Sequence, residues 1–404
     1  MNILLINHYA GSDYHGMEFR PFYLARLWNQ MGHDTTILAA DFSHLRKKNP
    51  APQKDFDEEI VDGVRFVWVK TLPYQGNGAK RALNMMTFVN KVKAKAGYLA
   101  ERYQPDAVIA SSTYPFDIYP AEKIAKKAKA KLIFEIHDLW PLSPIVLYGL
   151  KESNPLIRYL QQAEDAAFTR SDTIVSILPN AAKHVAERKA DPEKCFWIPN
   201  GIFTDEQEAP VPAQTTEYLE SLKKQGKFIV MYLGGFATAN ALEELIECSP
   251  KLNPDVAVVL IGDGMKKQEY MAYSKEKGYS NLHFLDSVSK KAVQPVLRMA
   301  DCLYVGAKKC RLYEYGVGMN KFNDYMLSSR PIISGVEAYQ DPVSESGCGV
   351  LVEPENSAEL AKAINAMSLA EKADLDSMGQ KGYEYVIQHH NYPDLARRFI
   401  EVIS

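Results

Sequence analysis

Phe228-Ile229-Val230-Met231-Tyr232-Leu233-Gly234-Gly235 is the stretch that decides the fold. Its six apolar residues indicate a buried strand, and a helical pattern follows from about Ala239. Because glycine has no Cβ atom, Gly234 and Gly235 allow the backbone to approach a ligand closely, and a helix N-terminus attracts anions. The stretch therefore predicts a strand, a phosphate-binding turn and a helix. The alternative interpretation is a glycine pair that only ends a strand.

The same alternation of short apolar segments and helical patterns continues on both sides of this stretch. Strands are predicted over residues 3–6, 35–38, 64–69, 107–110, 131–135, 173–176, 256–261, 282–285, 302–305, 331–333 and 349–352. Nearly continuous apolar strands between helices indicate parallel sheets that are covered on both faces. The fold class is therefore α/β, with two doubly wound, Rossmann-like domains that face each other across a cleft.

The length of 404 residues also favours two domains, because one hydrophobic core rarely serves so long a chain. We predict a first domain over residues 1–203 and a second over 204–384. A polar, proline-containing linker is predicted over 205–216, and a helical pattern over about 385–404 is expected to cross back onto the first domain.

Composition excludes several classes of protein. The five cysteines show no metal or redox spacing, and their odd number argues against a disulfide framework, so a cytoplasmic protein is expected. No apolar run reaches the length of a membrane span. A formal net charge of −3 gives no reason to expect a nucleic-acid partner. The loop of residues 11–21 lacks the three-glycine dinucleotide fingerprint, so no nicotinamide or flavin cofactor is predicted.

Residues 313–326 place a cation and a carboxylate around a predicted helix start. Gly316 and Gly318 are expected to let the backbone approach a ligand, and Lys321 adds a positive charge beside the helix amides. Asp324, one helical turn later, is placed to accept hydrogen bonds from ribose hydroxyls. The alternative is a glycine-containing loop that caps an ordinary helix.

Two further segments of the second half are assigned to a nucleotide site. Asp263 and Gly264 follow the predicted strand 256–261, where a tight turn is the alternative interpretation. Val288 follows the strand 282–285. Together with Asp324, these residues form the predicted ribose and base site.

In the first half, polar residues follow two predicted strands. Gly16, Glu18 and Arg20 form a loop that is expected to border an acceptor, although both charged residues also suit the start of a helix. His137 and Asp138 follow the strand 131–135, at an edge where α/β folds collect reactive groups. We expect His137 to bind a sugar hydroxyl and Asp138 to fix its tautomer; an Asx turn is the alternative.

Residues 80–95 form a cationic segment with Met, Phe and Val at helical spacing. Such a helix suits an anionic membrane surface, with lysines at the head groups and apolar side chains below them. The alternative is an ordinary amphipathic helix whose apolar side faces the core.

Together these features resemble the GT-B glycosyltransferases, specifically the retaining enzymes of family 4 that build bacterial surface polysaccharides. The transferases of O-antigen and capsule clusters that add amino-deoxy sugars are the most similar. The resemblance spans nearly the whole chain and is carried by residues 15–20, 32–34, 137–141, 198–201, 234–242, 261–264, 315–316 and 320–321.

The resemblance implies a UDP-sugar in the second domain, with its diphosphate at Gly234, Gly235, Gly318, Asn320 and Lys321. Asp324 occupies the later acid of the family's pair of glutamates separated by seven residues. Gly316 stands at the earlier position, so the family's sugar contact there is missing.

The implied function is transfer of a hexosamine-type sugar from a UDP-sugar to a polyprenyl-diphosphate-linked glycan, with retention of configuration and with His137 and Lys321 as catalytic residues. No metal or other cofactor is expected, and the enzyme is expected at the inner face of the cell membrane. Two alternatives stay open: a UDP-sugar 2-epimerase and a noncatalytic nucleotide-sugar-binding subunit.

Overall fold

The computed structural model describes residues 1–76, 78–205 and 207–404, and these divide into two units. Unit 1 comprises residues 1–200, 314–318 and 392–404; unit 2 comprises the described residues of 201–313 and 319–391. The first and longest segment of unit 1 thus ends at Asn200 rather than at 203. Residues 385–391 belong to unit 2 rather than unit 1, because they continue a long helix that ends at His390. Residue 206 of the predicted linker lies outside the described residues.

Unit 1 is built on an eight-stranded sheet in which β1 lies between β2 and β5. Its strands are β1 (Asn2–Ile6), β2 (Asp34–Ala40), β3 (Asp57–Val61), β4 (Val64–Val69), β5 (Ala107–Ala110), β6 (Lys131–Ile136), β7 (Thr173–Ser176) and β8 (Cys195–Trp197). The spatial order is β3-β4-β2-β1-β5-β6-β7-β8, and every pair is parallel except β3 with β4. The carboxyl ends of the parallel strands therefore lie at one edge of the sheet.

Eight helices complete unit 1 among the described residues. They are α1 (Arg20–Gln30), α2 (Ala79–Ala94), α3 (Ala96–Tyr103), α4 (Ile118–Ala128), α5 (Leu142–Tyr148), α6 (Pro155–Arg170), α7 (Ala181–Glu187) and, from the chain's end, α16 (Tyr392–Ile403). Helix α16 packs on α1, where the indole nitrogen of Trp28 donates to the carbonyl of Ala396 at 3.0 Å.

Unit 2 contains a six-stranded parallel sheet in the order β11-β10-β9-β12-β13-β14. Its strands are β9 (Phe228–Leu233), β10 (Val256–Ile261), β11 (Leu282–Leu285), β12 (Cys302–Gly306), β13 (Ile332–Gly335) and β14 (Gly349–Leu351). Its helices are α8 (Ala213–Lys224), α9 (Leu242–Cys248), α10 (Lys267–Lys277), α11 (Val293–Leu297), α12 (Asn320–Leu327), α13 (Pro342–Ser346), α14 (Ser357–Ser368) and α15 (Lys372–His390).

The α/β class and every predicted strand are confirmed, but β3 and β8 were not predicted. The residues of β3, Asp-Glu-Glu-Ile-Val, lack the apolar run by which the other strands were predicted. The missed signal is Asp62-Gly63, whose backbones have φ of 45° and 78°. Positive φ at both central residues is typical of the tight turn that joins antiparallel strands.

Helix α2 contains most of the cationic segment that was expected at a membrane. Its apolar residues Met85, Phe88, Val89 and Val92 are buried in unit 1. They stabilise the core, so the interpretation that places them below lipid head groups is wrong, and the ordinary amphipathic helix is what the structure shows.

Candidate functional site

Lys321 lies at the carboxyl end of β9, next to the glycine pair. It is the second residue of α12, and its Nζ atom donates to the hydroxyl of Tyr232 at 2.9 Å and to Oδ1 of Asn240. The same Nζ atom is 4.8 Å from the centre of the Tyr232 ring. The predicted cation and the predicted glycine turn therefore belong to one cluster in unit 2.

Gly234 allows this position of Lys321. A Cβ atom at residue 234 would be 2.7 Å from Cε of Lys321 and 3.0 Å from the Tyr232 hydroxyl. At Gly235, which is exposed, a Cβ atom would be 4.0 Å from the carbonyl oxygen of Asp263, an ordinary contact. Close approach by protein atoms thus explains Gly234, whereas at Gly235 the exposed backbone can still admit a ligand.

The electrostatics of Lys321 favour an anion. Burial lowers the pKa of Lys321 to about 8. Both hydrogen-bond acceptors that the structure describes for its ammonium group are neutral, so no carboxylate among them offsets the charge. A half-buried cation with neutral partners gains from binding phosphate.

The loop after Gly235 differs from the prediction of a helix from about Ala239. A short 3-10 turn covers Thr238–Asn240, and α9 begins only at Leu242. Ala241 has a left-handed backbone with φ of 44°, which separates the turn from the helix. The turn instead orients Asn240, whose Nδ2 atom donates to the carbonyl of Gly235 at 2.8 Å.

Asp263 and Gly264 follow β10 and lie beside the loop of the glycine pair. The amide of Phe236 donates to the carbonyl of Asp263 at 2.9 Å. A Cβ atom at Gly264 would be 2.6 Å from the carbonyl oxygen of Phe236. The glycine is therefore needed for packing between the two loops, and Asp263 remains exposed. Val288 is half-buried after β11.

Asp324 accepts a hydrogen bond from another side chain of unit 2. Its Oδ1 atom is 2.9 Å from Nζ of Lys290, and its carboxylate side chain is 19% exposed. Both residues line a cavity of about 120 Å³, with Gln294, Arg298 and Tyr383 in its wall. A ribose at Asp324 would have to share or displace Lys290. Asn320, the first residue of α12, is exposed.

Gly316 and Gly318 pack closely against other residues of unit 1. Gly316 has φ of +99°, and a Cβ atom there would be 2.3 Å from Cδ of Pro179. A Cβ atom at Gly318 would be 2.5 Å from Cδ1 of Ile177, and the carbonyl of Gly318 accepts from Nδ2 of Asn200 at 2.9 Å. Packing inside unit 1 accounts for both glycines, and the approach of a ligand to their backbone stays a prediction.

His137 lies at the carboxyl end of β6 in unit 1, as predicted. Its Nε2 atom is 3.2 Å from Oε2 of Glu135 and 3.0 Å from Oγ of Ser111, which itself donates to Glu135 at 2.6 Å. The side chain of His137 is 9% exposed. Residues 135 and 137 are two apart along the chain, and this spacing places both side chains on one face of the sheet.

The charges around Glu135 compensate one another. Burial raises the pKa of Glu135, but Arg20 and His137 outweigh it and hold this pKa well below its ordinary value. Burial also lowers the pKa of His137, but Glu135 outweighs it and raises this pKa overall. The histidine is therefore stabilised in its charged form.

Asp138 does not contact His137 in the predicted way. Its carboxylate accepts from the amide of Leu139 at 2.8 Å, from Nε1 of Trp140 at 3.0 Å and from the hydroxyl of Ser143. These bonds close the turn between β6 and α5. The tautomer prediction for Asp138 is wrong, because Glu135 and Ser111 hold the histidine instead.

The loop before α1 contains one buried arginine and one buried carboxylate. Arg20 donates to Glu135 at 2.9 Å and to the carbonyls of Pro199 and Ile198 at 2.6 and 2.9 Å, so it joins three segments and is not presented to a ligand. Oε2 of Glu18 is buried and has no hydrogen-bond partner in the part of the chain that the structure describes. Burial raises the pKa of Glu18, and Glu135 adds to this effect while His137 opposes it.

Gly16 also has a structural explanation. Its φ is +99°, and a Cβ atom there would be 2.9 Å from the amide nitrogen of Lys47. The residue fixes the loop that carries Glu18, and its place at an acceptor stays a prediction.

Sequence reasoning missed Tyr232, Asn240, Glu135 and Ser111, which hold the two predicted catalytic residues. A signal existed for Glu135, since it is an acidic residue inside the otherwise apolar strand β6, where a buried charge requires a partner. A signal also existed for Tyr232, which lies two residues before Gly234 on the same face of β9.

The described residues offer neither a cluster of metal ligands nor a helix able to cross a membrane. No group of three or more His, Cys, Asp or Glu is arranged to hold a metal ion in residues 1–76, 78–205 and 207–404. Within the same ranges, no helix has both the length and the apolar character required to cross a membrane. The expectation that no metal is used stays a prediction.

Comparisons with known proteins agree with this architecture. Residues 15–201 match the family model of the glycosyl transferase 4-like domain, and residues 214–385 match that of glycosyl transferases group 1. The chain is similar to the putative colanic acid biosynthesis glycosyl transferase WcaI of Escherichia coli (strain K12), with 25% identity over 390 residues and 92% of each chain covered.

Solved structures share the fold at lower identity. Sucrose-phosphate synthase from Thermosynechococcus elongatus has a TM-score of 0.75 and 18% identity, with 99% of this chain and 97% of that chain covered. HepE of Anabaena, in complex with UDP and glucose, has a TM-score of 0.67 and 14% identity, with 99% and 98% covered.

Proposed function

We propose that this chain, which belongs to the GT-B glycosyltransferases, transfers a hexosamine-type sugar from a UDP-sugar to a lipid-linked saccharide during synthesis of a cell-surface polysaccharide. The observation that carries the proposal is Lys321. Its ammonium group lies at the carboxyl end of β9 with only neutral hydrogen-bond acceptors described, above a glycine that makes room for it. This arrangement suits a diphosphate, which the UDP-sugar would supply.

The similarity to known proteins supports the choice of donor and product. HepE was solved with UDP and glucose, and WcaI is named for colanic acid biosynthesis. Sucrose-phosphate synthase has the same fold, so the fold alone does not determine the acceptor. The choice of a hexosamine and of a lipid-linked acceptor rests on the resemblance to transferases of amino-deoxy sugars.

In the proposed reaction, unit 2 binds the donor and unit 1 binds the acceptor. The bond between the sugar C1 and the phosphate oxygen breaks while the acceptor oxygen bonds to C1 on the same face. The acceptor proton passes to the departing phosphate oxygen, so configuration is retained. Lys321 stabilises the charge that develops on the diphosphate, an effect worth roughly 3 kcal/mol for a well-placed donor.

In unit 1, His137 is proposed to donate a hydrogen bond to the acceptor sugar. Its charged form is favoured by Glu135, which also fixes the ring. Oε2 of Glu18 is buried and has no hydrogen-bond partner among the described residues. It is proposed to accept a hydrogen bond from an acceptor hydroxyl, because an unpaired buried oxygen gains most from a new donor.

Radiolabelled donors test the proposal directly. Purified protein is incubated with UDP-hexosamines, UDP-hexoses and GDP-sugars, each with and without a short-chain polyprenyl-diphosphate saccharide. We expect label in the lipid fraction only with a UDP-hexosamine and acceptor. Lys321→Ala should remove transfer, while Lys277→Ala, at the exposed end of α10, should not.

The same incubations separate the alternatives. Isomerised sugar formed from donor alone would indicate a 2-epimerase. Tight UDP binding without any product would indicate a noncatalytic binding subunit. Equal transfer by Lys321→Ala and the unchanged enzyme would remove Lys321 from the mechanism.

A further inference from the structure

Five large apolar side chains are exposed within thirteen consecutive residues of unit 1. They are Leu147, Tyr148, Leu150, Leu156 and Tyr159, with exposed fractions of 49, 69, 36, 44 and 40%. We call them the α5–α6 patch. In the described part of the chain, the next densest stretch of equal length has three such residues, Met265, Met271 and Tyr273. Isolated exposed apolar residues are ordinary, but a concentration of this kind indicates a binding surface.

The core does not require these side chains. Helix α6 buries Ile157, Leu160 and Ala163, so Leu156 and Tyr159 lie on its other side. Helix α5 ends at Gly149, whose backbone is left-handed, and the chain turns before Asn154 caps α6. The turn holds Leu150 outward between the two helices.

The helical end of the patch is held in place by aromatic contacts. The ring of Tyr159 stacks on Phe116, with centroids 4.8 Å apart, and on Tyr119, at 6.4 Å. These contacts order Tyr159 before any partner binds, which lowers the entropic cost of binding.

The surroundings of the patch are cationic. Nζ of Lys93, in α2, lies 5.7 Å from the centre of the Tyr119 ring, which itself stacks on Tyr159, so this lysine lies near the patch. Lys91 of the same helix is instead paired with Asp55 at 2.7 Å. Within the patch itself, Lys151 and Arg158 are exposed, and Glu152 is the single acid between Leu147 and Tyr159.

We propose that the α5–α6 patch binds the surface of a bilayer that contains anionic lipids. Leucine and tyrosine side chains with lysine and arginine around them are typical of interfacial binding, where apolar groups enter the head-group region and cations contact lipid phosphates. This charge complementarity favours a lipid surface over a second copy of a chain whose formal net charge is only −3.

The proposal also deepens the function proposed above and rests on it in one respect. The patch begins on α5, the helix that follows the turn at His137, so the bilayer contact is assigned to the segment next along the chain from the residue proposed to bind the acceptor. The membrane contact is assigned to α5 and α6, with Lys93 of α2 adding a charge nearby; the exposed Leu83 of α2 is a single residue outside the patch.

Co-sedimentation with vesicles tests the patch. Phosphatidylcholine vesicles with and without phosphatidylglycerol are mixed with the full chain, with a patch variant (Leu147→Ser, Tyr148→Ser, Leu150→Ser) and with a matched control from unit 2 (Met265→Ser, Met271→Ser, Tyr273→Ser). We expect the unchanged protein and the control to bind the anionic vesicles, and the patch variant to bind at least about tenfold more weakly. Added salt should weaken binding of the first two.

Several results would overturn the proposal. These are no binding by the unchanged protein, unaltered binding by the patch variant, or an equal loss in the control. Self-association of the unchanged protein that the patch variant abolishes, seen by sedimentation velocity, would assign the patch to a second copy. Transfer to a detergent-solubilised acceptor is measured in parallel. Failure of transfer in all three proteins would contradict the proposed function while leaving vesicle binding as a separate result.

Discussion

Lys321 lies so close to Gly234 that a Cβ atom at residue 234 would be only 2.7 Å from Cε of the lysine. Lys321 is the second residue of α12, and Gly234 directly follows β9, so two elements that are distant along the chain form one cluster. The contact makes the position of the ammonium group sensitive to a single methyl group.

Gly234→Ala should therefore displace Lys321 and weaken UDP binding by at least about tenfold, or about 1.4 kcal/mol. The matched variant Gly235→Ala adds its methyl group where no close contact exists, so it should leave Lys321 in place. Isothermal titration with UDP measures both. If Gly235→Ala weakens binding as much while the unfolding free energy is unchanged, a ligand approaches Gly235 directly. Unaltered binding in Gly234→Ala would contradict the proposed role of this cluster.

The affinity for UDP should fall as pH rises through about 8. Burial lowers the pKa of Lys321 to about that value, so the free protein loses the cation there. Lys321→Arg keeps its charge and should show a flatter profile between pH 7 and about 9.5. The dissociation constant of UDP is measured for both proteins across this pH range. Parallel profiles for the two proteins would contradict the expectation. The stability of the unliganded protein should change in the opposite sense, because the unfolded chain binds more protons above pH 8.

Asp324→Asn should weaken UDP binding by about tenfold if the carboxylate binds the ribose. The control uses a modified ligand, 2′,3′-dideoxy-UDP, which lacks the ribose hydroxyls. Its affinity should be the same for Asp324→Asn and for the unchanged protein. Since Lys290 donates to Asp324 at 2.9 Å, Lys290→Met should leave the carboxylate more available and raise UDP affinity. An equal loss for UDP and the dideoxy analogue in Asp324→Asn would assign Asp324 to structure alone.

His137 should stabilise the fold more at acidic pH than at alkaline pH. Its pKa is raised in the folded state, so the stabilisation is complete below the ordinary value near 6.5 and is lost as pH rises through the raised pKa. The unfolding free energy of His137→Asn should be lower than that of the unchanged protein by roughly 1.5–3 kcal/mol at pH 6, and by less at pH 9. Urea denaturation at both pH values checks this. The exposed His389→Asn is the control and should show no such difference.

The sheet of each unit followed from sequence because buried parallel strands consist of nearly continuous apolar residues. Lys321 and Gly234 were both predicted, since a lysine at a helix start and a glycine at a strand end carry local signals. Their partners were not, because Tyr232 and Asn240 acquire their roles only from how α12 packs on β9. Glu135 is recognisable as an acid inside a buried strand, but no local pattern shows that Arg20 and His137 are its partners.

Glycines are harder to interpret from sequence than strands. Gly316 and Gly318 looked like openings for a ligand, but the absent side chain serves contacts with Pro179 and Ile177, which lie far away in sequence. A glycine looks the same in the sequence whether a ligand or another part of the protein occupies the space beside it. The three-dimensional structure shows which protein atoms lie there.

Gly316→Glu restores the glutamate that the family's motif has at this position, and we expect it to destabilise the protein rather than improve activity. The backbone φ of +99° costs a non-glycine residue roughly 1–3 kcal/mol, and the new Cβ atom would be 2.3 Å from Cδ of Pro179, which adds an overpacking cost of similar size. Urea denaturation should therefore show a loss of roughly 2–6 kcal/mol in the free energy of unfolding. Gly32→Ala is a control for backbone strain, because Gly32 has φ of +89° and no neighbour within 4 Å of a Cβ atom, so its loss should be smaller. A Gly316→Glu protein that is as stable as the control and transfers sugar faster would show that the motif's glutamate can act from position 316, and that the packing against Pro179 gives way to it.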